Sequence, residues 1–102
     1  MYLDKADFKQ AMTRITKMLC VIILGNGETV PEEDLRKIVK PKPANMLSEY
    51  DVKEVLDGAL AAAIEENLVF DDGKGLRIAP EGLKQLPCIV KEIQAIQGEL
   101  RK

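Results

Sequence analysis

The chain has 102 residues, 46% of them hydrophobic and 31% charged, with a formal net charge of −2. That length suits one domain able to bury a core without disulfide or metal staples, and the composition excludes a disordered chain. The nearly balanced charge excludes both a strongly basic protein that coats nucleic acid and a strongly acidic mimic of one.

The N-terminus carries Asp4, Lys5 and Asp7 rather than the basic-then-apolar run of a secretory leader. The pattern predicts a first helix from Asp4 to Leu24, with Phe8, Ala11, Met12, Ile15, Leu19 and Ile22 on its buried face. Cys20, Val21, Ile23 and Leu24 make its last turns apolar nearly all round, as in a helix end covered on two sides. The apolar run from Met18 to Leu24 is far short of the ~20 residues that span a bilayer. Gly25-Asn26-Gly27 stops the helix, since Gly and Asn accept the left-handed cap.

A second helix is expected from Pro31 to about Val39. Glu32, Glu33 and Asp34 fill its first turn and Arg36, Lys37 and Lys40 its last, so both ends match the helix dipole. Leu35, Ile38 and Val39 are its expected core residues. Pro41-Lys42-Pro43 ends it.

The stretch from Met46 to Gly82 organises the rest. Ser48 and Asp51 have the spacing of a capping box, with Leu47 and Val52 placed as a hydrophobic staple. Val52, Val55, Leu56, Ala59, Leu60, Ala63 and Leu68 then recur mostly at three- and four-residue steps, one apolar face of a third helix ending at Asn67. Val69-Phe70 and Leu76-Arg77-Ile78 flank the turn residues Asp71-Asp72-Gly73-Lys74-Gly75, which predicts a short hairpin. A hairpin of that size is marginal alone and must pack on the helix before it.

A last helix follows, either starting at Pro80 with an interruption at Pro87 or starting anew there. Ile89, Ile93, Ile96 and Leu100 are spaced four, three and four apart, a heptad seam of about two heptads. Together with Val21 and Leu24 they form the expected interface of a homodimer; the competing arrangement folds the last helix back on the first within one chain.

Catalysis has little to draw on. The chain has no histidine, so the usual general base near neutral pH is missing. Asp71-Asp72 sits in a turn and lacks calcium-loop spacing, and Gly73-Lys74-Gly75 precedes a strand rather than a helix, unlike a phosphate cradle. Cys20 and Cys88 lack metal-site or redox spacing and read as reduced thiols of a cytoplasmic protein. The expectation is a non-enzymatic protein with no cofactor and no metal.

Three helices followed by a ribbon whose turn holds Lys74, with Arg77 close by, resemble the winged helix-turn-helix superfamily over about residues 4–82. The resemblance implies a mostly α fold with a small β-hairpin: a winged-helix domain over residues 1–82, followed by a C-terminal helix over 83–102. It also implies DNA-binding roles for Ser48, Tyr50, Lys53 and Asp57 on the third helix and Lys74 and Arg77 on the wing, with Lys37, Lys40 and Lys42 adding phosphate contacts. Charge opposes that role, because Ser48–Asn67 carries Glu49, Asp51, Glu54, Asp57, Glu65 and Glu66 against the single base Lys53. Affinity for duplex DNA comes mainly from cations that neutralise phosphates. A protein partner on the third helix fits better, meeting Glu54, Asp57, Gly58, Ala61 and Glu65. Glycine inside a helix costs about 1 kcal/mol against alanine, so Gly58 calls for a reason.

Overall fold

A computed structural model describes the backbone of residues 5–41 and 48–100 and the side chains of residues 6–41 and 48–96. The staple residue Leu47 and the cation Lys42 lie outside the described residues, as does the side chain of Leu100. The fold is mostly helical with one antiparallel hairpin. Its elements are α1 (Lys5–Ile23), a 3-10 turn (Leu24–Asn26), α2 (Glu32–Val39), α3 (Glu49–Glu65), β1 (Val69–Asp71), β2 (Leu76–Ile78) and α4 (Pro80–Leu100).

Local chemistry sets the ends of these elements. Gly27 takes the left-handed conformation at φ 85° and donates its amide to the Leu24 carbonyl, closing the turn after α1. At the start of α3 both halves of the capping box are present. The Ser48 hydroxyl accepts from the Asp51 amide at 3.1 Å, and the Asp51 carboxylate accepts from the Ser48 amide at 2.9 Å. At its end Asn67 adopts φ 60°, and the Leu68 amide reaches back to the Ala63 carbonyl at 2.9 Å. That turn delivers the chain directly into β1.

In the hairpin Val69 faces Ile78, Phe70 faces Arg77 and Asp71 faces Leu76. Its turn is held by side chains. Asp71 accepts from the Gly73 amide at 2.8 Å and Asp72 from the Lys74 amide at 2.9 Å. A third strand-like contact joins the hairpin from outside: Val30, just before α2, exchanges two backbone hydrogen bonds with Leu76, at 2.9 and 2.8 Å. Its close approach is possible because Gly75 has no side chain.

The core lies where α1, α3 and α4 meet over the inner face of the hairpin. Val21, Leu24, Leu35, Val55, Leu68, Val69 and Leu76 are fully buried. The expected stripe on α1 is displaced. Thr16, Met18, Cys20, Val21 and Leu24 are buried, Phe8, Met12, Ile15, Leu19 and Ile22 are half-buried, and Ala11 is exposed. The C-terminal half of α1 is covered by α3 and α4 together, so its inward side is wider than a single stripe. On α2, Leu35 and Val39 point inward but Ile38 is 59% exposed, correcting its expected place in the core.

Most of the residues expected at a dimer interface are covered within their own chain. Val21 and Leu24 are wholly buried within their own chain, and Ile89 and Ile93 retain only 6% and 7% exposure. Ile96 is half-buried against the same core. Ile89, Ile93 and Ile96 therefore pack in the core of their own chain, as in the arrangement that folds the last helix back within one chain. The helix bearing it starts at Pro80 and runs through Pro87 without a break, so the expected boundary at residue 82 falls inside its first turn. Gly82 sits there against the Leu68 carbonyl and the Ile78 side chain, leaving no room for a Cβ. Among the described residues no helix is long and apolar enough to cross a membrane.

Candidate functional site

The acidic residues of α3 do not form an open negative face. Most are matched by cations on the helices beside it. Lys9 of α1 pairs with Glu54 and lies 3.4 Å from Asp51. Lys17 of α1 pairs with Glu66 at 3.0 Å. Arg36 of α2 pairs with Asp57 at 2.7 Å, and Lys40 lies 3.8 Å from Glu49. The effect on the charged groups is in the expected sense. Hydrogen bonding from Lys9 holds the Glu54 carboxyl below its ordinary value, and the same contact raises the Lys9 ammonium. Glu54 also accepts from the Tyr50 hydroxyl and pushes that phenol upward.

Of the five residues expected to meet a partner, Glu54 and Asp57 are thus engaged within the chain. Gly58 faces α1, where an added Cβ would stand 3.3 Å from the Thr13 methyl group. Its small size lets two helices approach and does not mark an outside surface. Ala61 and Glu65 remain exposed. The sequence shows six acids on one helix and its C-cap but cannot show that the cations matching them lie 9 to 49 positions away.

A different feature emerges between α2 and α3. A cleft of about 170 Å³ is lined by Arg36, Lys37, Lys40, Glu49, Val52, Lys53 and Leu56. The α2 residues come from adjacent turns of one flank. On α3, positions 49, 52, 53 and 56 follow the three- and four-residue steps that align side chains on one side of a helix. Val52 and Leu56 form the floor, at 2% and 6% exposure. Four cations and one acid form the rim.

The cations differ in availability. Arg36 is held by Asp57 and also contacts Glu32 at 3.5 Å. Asp57 raises the guanidinium further above its ordinary value. The Lys40–Glu49 pair is long, and the Glu49 side chain is 84% exposed, so it contributes little and is easily exchanged. Lys37 and Lys53 make no ion pair among the described residues.

The structure therefore brings together three of the cations assigned to nucleic acid: Lys37, Lys40 and Lys53. Tyr50, 70% exposed, lies outside the cleft lining toward Glu54, and Lys74 and Arg77 belong to the hairpin. The apolar floor was legible only as core, because Val52 and Leu56 share the spacing of the buried face. Arg36 sits in the last turn of α2, where its charge suits the helix dipole, and its pairing with Asp57, 21 positions away, has no local signal in the sequence.

The remaining chemistry is sparse. Cys20 is buried and free, with its thiol pushed up to about 11 by desolvation, while Cys88 is free and exposed. Among the described residues no three metal-ligating side chains converge. No known family model, curated protein or solved structure matches the chain at a significant level.

Proposed function

We propose that this chain is a non-enzymatic, cytoplasmic interaction module of winged-helix type that binds a polypeptide partner through the cleft between α2 and α3. The order of three helices followed by a hairpin supports the winged-helix reading. The lack of any histidine supports a non-enzymatic role, and two free cysteines suit a reducing compartment. The observation that carries the proposal is the rim of the cleft. Lys37 and Lys53 both line a cleft with an apolar floor, and neither makes an ion pair among the described residues.

One specific observation favours a second reading, a DNA-binding regulator. Five of the six acids on α3 and its C-terminal turn are matched by Lys9, Lys17, Arg36 and Lys40, so the helix repels phosphate less than its sequence suggests. Glu49 still projects beside the cleft, however, and Glu32, Glu33 and Asp34 are all exposed on α2. A duplex is broad enough to meet all of those acids, whereas a polypeptide side chain entering the cleft meets only Glu49 on its rim.

A photo-crosslinking residue placed at Lys53 in the native host separates the two readings. The proposal expects adducts that protease destroys and nuclease leaves intact. Adducts removed by nuclease support the DNA reading instead. Lack of any adduct at Lys53, with adducts formed at other surface positions, overturns both.

A further inference from the structure

We infer that the occupant of the α2–α3 cleft is a short acidic segment of the partner that inserts one aliphatic side chain between flanking carboxylates. This rests on the reading of the cleft as a polypeptide site and adds the chemistry of what enters it.

Volume is the first argument. About 170 Å³ is far below the ~300–1,000 Å³ of pockets that enclose a small-molecule ligand, yet close to the ~150 Å³ cavity that takes up a benzene-sized apolar group. The cleft accepts one side chain of leucine size and not a whole helix or a cofactor. Its floor of Val52 and Leu56 offers only hydrocarbon, so the inserted group is apolar.

Charge is the second argument. Lys37 on α2 with Lys40 at its C-cap, and Lys53 on α3, line that floor from the two helices. A carboxylate on either side of the inserted group meets Lys37 or Lys53, neither of which makes an ion pair among the described residues. The one on the α2 side can also draw Lys40 away from Glu49, because the exposed 3.8 Å pair holds it weakly. A basic segment would face three cations. A polar acidic segment would leave the floor without an apolar partner. An acidic segment with one buried aliphatic side chain satisfies both, the recognition mode in which an apolar anchor is framed by complementary charge.

The test uses the full chain and fluorescence anisotropy with four labelled probes at low salt. These are a peptide of alternating glutamate and leucine, one of glutamate and serine, one of lysine and leucine, and a random duplex. The glutamate–leucine peptide is expected to bind, with the glutamate–serine peptide about tenfold weaker and the lysine–leucine peptide silent. Lys37→Glu and Lys53→Glu are each expected to weaken binding about tenfold, with unchanged circular dichroism. Lys84→Glu makes the same charge change on exposed α4, outside the cleft, and is expected to leave binding intact.

Equal loss in Lys84→Glu overturns the inference, since attraction would then follow net charge alone. Equal affinity for the glutamate–serine peptide also overturns it, because the floor would contribute nothing. So does binding of the duplex alone with loss in Lys53→Glu. If crosslinking at Lys53 captures polypeptide while the glutamate–leucine peptide fails to bind, the inference falls and the broader proposal stands.

Discussion

Arg36 of α2 and Asp57 of α3 hold the two banks of the cleft together, with the guanidinium Nη2 2.7 Å from the carboxylate Oδ1. The Arg36 side chain is 29% exposed and Asp57 50%, so solvent screens the pair. Arg36→Met keeps the apolar stem and removes the charge. It is expected to lower stability by about 0.5–1 kcal/mol, and Asp57→Asn by a similar amount. A double-mutant cycle read by urea denaturation checks that the two losses are coupled.

Ile93 is a test of where α4 belongs. At 7% exposure within its own chain, it has no room for a charged replacement. Ile93→Asp is expected to cost about 3 kcal/mol or more through an uncompensated buried carboxylate. The loss should appear as a lower thermal midpoint in circular dichroism. A variant that keeps its stability and only halves its particle mass in light scattering would restore the intermolecular seam.

Two glycines should respond differently. A Cβ on Gly75 would lie 2.5 Å from the Val30 carbonyl oxygen and 2.8 Å from the Pro31 Cα, backbone atoms that cannot turn aside. Gly75→Ala is expected to destabilise by about 1–3 kcal/mol, the usual range for overpacking. Gly58→Ala meets only the Thr13 methyl at 3.3 Å. Thr13 is held in place because its hydroxyl donates to the Lys9 carbonyl at 2.8 Å. There the gain of about 1 kcal/mol in helix propensity is largely offset by crowding. Combining Gly58→Ala with Thr13→Ser, which deletes the crowding methyl, should release the gain as a raised thermal midpoint.

The Cys20 thiol and the Lys9–Glu54 pair shape the pH profile. Burial raises the Cys20 thiol from 9.0 to about 11, so the folded chain keeps it neutral where the unfolded chain would ionise it. That contribution is whole below pH 9.0 and is lost as pH rises toward about 11. The raised Lys9 ammonium acts in the same sense, its contribution present below the ordinary 10.5 and lost above it. The lowered Glu54 carboxyl acts oppositely, contributing above its ordinary 4.5 and losing that contribution as pH falls. Urea midpoints should therefore be highest between these two limbs, and Cys20→Ala should flatten the alkaline one. At neutral pH a thiol reagent should modify the exposed Cys88 rapidly and reach Cys20 only on unfolding.

Local signals in the sequence were read correctly where their causes are local. The Ser48–Asp51 capping box, the hairpin strands and the stop at Asn67 depend on residues within a few positions of one another. What stayed hidden depends on partners distant in the chain. The periodicity of α1 misplaces its buried side because α3 and α4 cover it from two directions. Pro87 suggested a break, yet exposed Leu83, whose carbonyl loses its helical donor, can find water instead. The acids of α3 looked like a free surface because a count of charges does not reveal the lysines of α1. The cleft itself joins residues from two helices, and neither helix alone carries its pattern of apolar floor and basic rim.

The paired backbone bonds between Val30 and Leu76 make the hairpin an anchor for the entry to α2. The Thr29 hydroxyl adds a second tie by donating to Asp72, whose carboxyl it helps hold below its ordinary value. Remodelling the tip of the ribbon, by an inserted residue or a stiffer turn, would thus travel through Val30 and shift the bank that bears Lys37 and Lys40. Recognition at the cleft and the geometry of a loop outside it become two readings of one mechanical linkage.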